Sequence, residues 1–369
     1  HCASGEFEYA KPVISLFKKI HPQIPVLVTY FSPSFRQQVQ KFPGVNMSCP
    51  LPWDFPGPLS TFIHHHQPRA LLIARTDLWP EVLYQTHKQQ MPTFLFSATK
   101  SKIPKFYHLL RPYNQWLYSK LNVIFSVSNS DRLNFLDLGA DLVHTKGDTR
   151  YDQVFTRLEN PKPLNDILFF DNTNIPTLIC GSTWPEDEKE ILLAANDLVK
   201  RGKLKLIIAP HEPSPSHLQI LEEMIFNEGL NTIYYSKTEQ WPQNHILIID
   251  RIGILAELYQ KASLAFVGGS FRKTVHSVME PLAAGCPTLV GPFHHNNREA
   301  LEFSQVELEA YPLLNAVNVV KDHMAFYDIL LRALERPSFL EKSREEIKNL
   351  VKTKKGASQN VVEWIEKFL

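Results

Sequence analysis

Residues 264–299 of this chain, LAFVGGSFRKTVHSVMEPLAAGCPTLVGPFHHNNRE, concentrate side chains and backbone suited to holding a ligand. An apolar run ends in Gly268-Gly269-Ser270, and a short basic loop with Arg272 and Lys273 leads to a helix-like segment holding His276 and Glu280. A second apolar strand ends in Gly291-Pro292, and Asn296 and Glu299 open the next helix. Backbone N–H groups at helix starts suit a phosphate. Gly268 and Gly269 let the backbone approach a ligand, His276 can meet an anion, and Glu280 can accept hydrogen bonds from vicinal sugar hydroxyls. Together they suggest a phosphorylated, hydroxyl-rich ligand such as a nucleotide. The plainer alternative is that these Gly and Pro residues punctuate turns. Ser182 and Thr183 follow another apolar strand, and Ser182 or Thr183 can cap the helix after it, with Glu186 to Glu188 complementing its dipole. His211 follows the next strand. Three adjacent histidines, His64 to His66, point in different directions around a helix and cannot share one metal; they read as a solvated helix end.

The elements that position these residues alternate. A helix follows Gly5-Glu6, with Val13, Leu16, Phe17 and Ile20 at i, i+3, i+4, i+7 spacing. Strands are expected over 25–30, 69–75, 93–96, 123–127 and 142–145, and a mixed basic and aromatic helical stretch over 102–120. Bases interleaved with aromatics suit anionic headgroups at a bilayer interface, or an ordinary amphipathic helix with a solvated basic face. The alternation restarts with strands over 177–180, 204–209, 232–235 and 246–249. Such β-α repetition means parallel sheets covered on both faces. The expected organisation is α/β with two Rossmann-like domains facing a central cleft: 1–150, a Pro-broken connector over 151–175, and 176–369 with C-terminal helices. A nucleotide would be held by the second domain and its reaction partner by the first.

At 369 residues, 44% hydrophobic and 21% charged, the chain is an ordinary globular length for two domains. Cys2, Cys49, Cys180 and Cys286 lie far apart with no C-x-x-C spacing, which favours a reducing compartment over a disulfide framework or zinc site. No apolar run approaches the roughly 18–20 residues of a membrane span. Residues 1–150 carry 16 Lys and Arg against 9 Asp and Glu, and the remainder 23 against 29. A basic first half suggests an anionic surface or substrate. Its scattered single bases and the lack of a nucleic-acid motif argue against DNA or RNA.

The ordered set of these residues resembles the Kdo transferases (3-deoxy-D-manno-octulosonic-acid transferases). It comprises Ala3-Ser4-Gly5-Glu6, the segment from Leu51 to Gly57, Thr76-Asp77-Leu78-Trp79-Pro80, Ser97-Ala98-Thr99, Gly147-Asp148 and Ser182-Thr183. It continues with Gly268-Gly269-Ser270, His276, Glu280-Pro281, Gly285-x-Pro287, Gly291-Pro292, Asn296 and Arg298-Glu299. The likeness spans nearly the whole chain. Departures from the family pattern are Val275 and Ser277 flanking His276, Arg75 in place of a Glu, Asp77 where Glu is frequent, and Pro210-His211 in place of an Arg-His pair.

The resemblance implies a GT-B enzyme of lipopolysaccharide synthesis that takes Kdo from CMP-Kdo to a lipid A precursor with inversion. It implies a place at the cytoplasmic face of a Gram-negative inner membrane, met through the basic N-terminal domain; the family's N-terminal membrane anchor is not among these residues. It also implies Glu6 as the catalytic base, against the alternative of a helix-start charge. Ser182, Thr183, His211, Gly268, Gly269, Ser270, His276, Glu280, Asn296 and Glu299 become the donor contacts. With no D-x-D pair, no metal and no cofactor are expected. Competing readings are a UDP-sugar transferase or epimerase of the same fold, and a non-catalytic nucleotide- or sugar-binding protein.

Overall fold

The computed structural model describes residues 1–3, 5–32, 36–101, 109–164, 175–237, 240–242 and 244–369. The chain divides into two compact units, His1–Gln153 with Lys354–Leu369, and Val154–Thr353. Ser4, residues 102–108 of the basic-aromatic stretch and 165–174 of the expected connector lie outside the described residues.

In the first unit, α1 (Phe7–Ile20) buries Phe7, Val13, Ile14 and Phe17, one stripe of a 3.6-residue period. Next come β1 (Leu27–Tyr30), α2 (Arg36–Gln40), β2 (Met47–Pro50), α3 (Pro56–His66), β3 (Leu71–Ala74), α4 (Pro80–Lys88) and β4 (Thr93–Ala98). They are followed by α5 (Arg111–Tyr118), β5 (Val123–Ser126), α6 (Asn129–Asp137) and β6 (Val143–Thr145). β3-β4-β5-β6 form a parallel sheet in that order, and β1-β2 a parallel pair. β4 is buried at every residue, as expected of a strand covered on both faces. β2 was not expected: the run MSCP ends in Pro, which a strand tolerates at an edge or end.

α7 (Arg150–Glu159) corrects the connector, because a helix occupies part of 151–175. The second unit holds β7 (Thr177–Thr183), α8 (Pro185–Lys200), β8 (Lys205–Pro210), α9 (Pro215–Asn227), β9 (Asn231–Tyr234) and β10 (His245–Ile248). Then follow α10 (Leu255–Tyr259), β11 (Leu264–Val267), α11 (Met279–Ala283), β12 (Thr288–Val290), α12 (Arg298–Phe303), β13 (Val317–Val319), α13 (His323–Glu335) and α14 (Pro337–Lys352). Its seven strands are parallel, in the order β13-β12-β11-β7-β8-β10-β9. From β7 the chain winds one way through β8, then crosses to β11 and winds the other way. The reversal leaves a crevice at the carboxyl ends of β7 and β11, where open α/β sheets bind ligands.

The last helix, α15 (Ala357–Glu366), belongs to the first unit. Val361, Val362 and Ile365 join the core of Phe7, Phe17, Val28, Phe94 and Phe125. This corrects the expected span of 176–369 for the second domain. An amphipathic helix buries its apolar stripe wherever a matching face is open, and sequence order does not decide where that is.

Candidate functional site

Most of the expected donor residues of the second unit lie in the turns and first helical turns beyond β7, β8, β11 and β12. His211 follows β8 and its amide bonds to the Thr183 carbonyl at 2.9 Å, so the ends of β7 and β8 are tied. The His211 and His276 rings stack at 4.2 Å and 17°, and the Trp184 ring packs on His211 at 5.1 Å. Trp184 Nε1 donates to His276 Nε2 at 3.2 Å. An indole N–H is a donor only, so Nε2 accepts and the His276 proton sits on Nδ1. Burial, helped by the neighbouring His211, pushes the His276 pKa down to about 4. His276 is therefore neutral near pH 7, and the charge expected to meet an anion there is absent. Positive charge comes instead from Arg272, whose guanidinium lies 4.0 Å over the Trp184 ring, and from exposed Lys273.

The glycines also have a different job from the expected one. A Cβ on Gly268 would lie 2.2 Å from the Ser182 carbonyl oxygen and 2.6 Å from Thr183 Cα. Gly269 has φ +78°, and its Cβ would lie 2.2 Å from the Thr274 carbonyl oxygen. The space a side chain would need is filled by the protein's own backbone, so these glycines permit close loop packing. Ser270 is fully buried and donates to the Val267 carbonyl at 2.8 Å. No helix starts directly after Ser270: the chain stays in turns and loop until α11 at Met279. His276 accordingly lies on a loop, while Glu280 is helical.

Glu280 receives Arg157 Nη1 at 3.2 Å, and the same guanidinium bonds Glu257, so a cation from α7 already engages the expected ribose acceptor. Asn296 donates to the Val275 carbonyl at 3.4 Å, and Asn297 to that of His276 at 2.9 Å. Asn297 is also the cap of α12, accepting from Ala300 N–H at 2.8 Å, and Glu299 sits buried in that helix's first turn. Ser182 takes φ +55°, a left-handed conformation rare for Ser. Thr183 is buried and donates to Glu188 at 2.8 Å; Glu188 in turn meets His217 at 3.0 Å.

Sequence reasoning missed Asp187 and Trp184. Asp187 is fully buried and accepts from the backbone N–H groups of Gly269 (2.7 Å), Trp184 (2.9 Å) and Phe271 (2.9 Å). Its place at the third residue of α8, behind a non-helical Trp184, is a capping-box position. That was the available signal, read instead as dipole complementation.

In the first unit Glu6 stands at the start of α1. Its carboxylate accepts from Ala3 N–H at 2.9 Å and from Thr76 N–H. Burial pushes its pKa up; the Ala3 bond holds it down, Asp77 raises it and Arg75 lowers it. Arg75, at φ +63°, lies 4.9 Å over the Tyr9 ring and bonds its hydroxyl. Arg150, held by the buried Asp148, covers the same ring at 4.6 Å. Tyr9 and Arg150 were also missed, although Tyr9 lies one helical turn after Glu6. Asp77 meets Trp79 Nε1 at 3.1 Å and His1 Nε2 at 2.8 Å. An apolar cavity of about 390 Å³ in the first unit is lined by residues including Phe17, Val28, Ile63 and Leu72.

Two parallel α/β units with polar residues gathered beyond their strands' carboxyl ends correspond to the GT-B fold. A UDP-GlcNAc 2-epimerase from Neisseria meningitidis shares this fold at a TM-score of 0.67, with 16% identity over 99% of this chain and 98% of its own. Sequence narrows the class. Residues 1–153 match the family model of 3-deoxy-D-manno-octulosonic-acid transferase (kdotransferase). The 3-deoxy-D-manno-octulosonic acid transferase of Haemophilus influenzae is 25% identical, covering 100% of this chain and 86% of its own length. That of Aquifex aeolicus is 27% identical over 87% of this chain and 83% of its own. The chain is thus similar over most of its length to Kdo transferases, with the family model matched over residues 1–153.

Proposed function

We propose that this enzyme transfers Kdo from CMP-Kdo, with inversion, to a hydroxyl of a phosphorylated, acylated glucosamine disaccharide, the lipid A precursor. The observation that carries it is Glu6: a carboxylate held by two backbone N–H groups at a helix start, with its pKa raised by burial. A base raised toward working pH is better matched to taking a proton from an alcohol. The acceptor oxygen bonds to the anomeric carbon of Kdo while the bond from that carbon to the phosphate oxygen breaks. The bonding pair leaves on CMP, and the hydroxyl proton goes to Glu6.

A monophosphate leaving group needs positive electrostatics more than an acid. Arg272, Lys273 and His211 are the groups of the second unit assigned to it, with neutral His276 donating through Nδ1–H. Glu280, Asn296 and Glu299 are assigned to the sugar hydroxyls. Ser182, Thr183, Gly268, Gly269 and Ser270 shape the turns that hold them. No metal or other cofactor takes part in this scheme.

The first unit takes the acceptor. It carries 19 Lys and Arg against 12 Asp and Glu, and exposes Trp53 (73%), Phe55 (64%) and Leu109 (85%). Basic and aromatic groups together suit an anionic leaflet and the acceptor's phosphates. No helix among the described residues is long and apolar enough to cross a membrane. The proposed location is the cytoplasmic face of a Gram-negative inner membrane, with the first unit touching the lipid.

The test is mass spectrometry of a lipid A precursor incubated with CMP-Kdo and the protein. Addition of Kdo by the wild type, lost in Glu6→Ala with CMP binding intact, supports the proposal. Full transfer by Glu6→Ala removes Glu6 as base. Stabilisation by UDP in place of CMP reassigns the donor.

A further inference from the structure

Asp187 is a carboxylate sealed from solvent that accepts from three backbone N–H groups and, among the described residues, pairs with no cation. One lies in the loop after β7 and two in the turn after β11, on either side of the crevice where the strand order reverses. We propose that Asp187 is a positioning residue for the donor nucleotide: it clamps the Trp184 loop to the Gly269–Phe271 turn. The clamp holds Arg272 over Trp184, and Trp184 against His211 and His276, as one preformed surface. The inference rests on the donor assignment above.

The geometry demands an ionised Asp. Oδ2 accepts from both Trp184 and Gly269, and Oδ1 from Phe271. In Asn one of these positions becomes an NH₂ facing N–H donors, so at least one bond turns into a donor–donor clash. Glu, a methylene longer, would carry its oxygens out of register with the three N–H groups at this fully buried position. Protonation has an effect like that of Asn, and burial pushes the Asp187 pKa up to about 6, against the three N–H groups that lower it and Glu188, which raises it. The ionisable groups facing Asp187 are Glu188 on its own helix and Cys180 on β7. From the β11 turn it meets backbone N–H groups, with Arg272 next along the chain. A carboxylate kept where burial opposes its charge does little for stability; its value lies in the loops it joins.

The experiment compares wild type and Asp187→Asn by two readouts between pH 5.5 and 7.5: CMP affinity by calorimetry, and amide protection factors at Gly269 and Phe271. At pH 7.5 the variant is expected to bind CMP about 10-fold more weakly or worse, the scale of one lost charged hydrogen bond. Both amides should lose protection by a similar factor. Wild-type affinity should fall as pH drops through 6, whereas the variant, which keeps every other titrating group, should show a flatter profile. Unchanged protection at Gly269 and Phe271 overturns the clamp whatever CMP does. Altered protection with unchanged CMP affinity and a parallel pH profile makes the role merely structural and overturns the positioning claim. A wild type that binds no CMP overturns the donor assignment, and the exchange data still judge the clamp. Should Asp187→Asn not fold, the wild-type pH series decides: pH-independent protection and affinity overturn the inference.

Discussion

Gly268→Ala separates a glycine kept for packing from one kept for a ligand. The new Cβ would lie 2.2 Å from the Ser182 carbonyl oxygen, 2.7 Å from the carbon of that carbonyl and 2.6 Å from Thr183 Cα. Ordinary contacts begin near 3.4 Å, and all three neighbours are backbone, so no side-chain rotation relieves the clash. The end of β7 must move by about 1 Å. That strains the bonds from Gly268 N–H to the Gly181 carbonyl (2.9 Å) and from His276 N–H to the Gly268 carbonyl (3.1 Å). Overpacking costs about 1–3 kcal/mol and two weakened hydrogen bonds about 1 kcal/mol each. The total is about 3–5 kcal/mol, or a fall of roughly 6–20 °C in the transition of the second unit. Gly5→Ala is the control, since nothing lies within 4 Å of its Cβ. Its stability should stay within about 0.5 kcal/mol of wild type. Calorimetric melting of both variants, with CMP titrated into each, decides. If Gly268→Ala melts with Gly5→Ala but fails to bind CMP, the glycine serves ligand approach and the packing argument is wrong.

Glu6→Gln should lower kcat/KM by about 10²–10⁴ with CMP affinity retained. The wild-type rate should fall as acid protonates the base, through a midpoint above the usual carboxylate range, as the raised pKa requires; a midpoint at or below 4 would contradict this. In Glu257, burial raises the pKa, but hydrogen bonds and charge from Arg157 outweigh it and leave it lowered. A lowered folded pKa adds stability that is present above the ordinary carboxylate range and lost as pH falls through the folded value. Arg157→Ala should cost about 2 kcal/mol at pH 7, discounted for the partial exposure of Arg157. It should also flatten the acid limb of urea-melt stability, and an unchanged limb would show that Glu257 has other support. Ile365→Ala should destabilise the first unit by about 2–4 kcal/mol without altering CMP binding to the second, read by tryptophan fluorescence unfolding and calorimetry. Destabilisation of the second unit instead would misplace α15.

The architecture was legible in order because its signals are local. Apolar runs such as FLF at 94–96 and LAFV at 264–267 cannot face water on either side, and the helices between them carry 3.6-residue stripes, so parallel α/β sheets follow. Short edges such as β2 and β13 carry too few residues to show a period. The site was legible as a set of positions and much less as a set of roles. Sequence alone determined that Glu6, His211 and Glu280 would stand at strand or helix ends, because Gly- and Pro-marked turns put them there; His276, expected on a helix-like segment, lies on a loop. Tertiary structure decided that His276 is neutral, that Glu280 is met by Arg157, that the glycines receive neighbouring backbone, and that Asp187 bonds a turn 82 residues further along the chain. It also sent α15 back to the first unit. The physical reason is the same in each case: protonation, pairing and packing depend on groups brought close by folding, and no local pattern records which groups those will be.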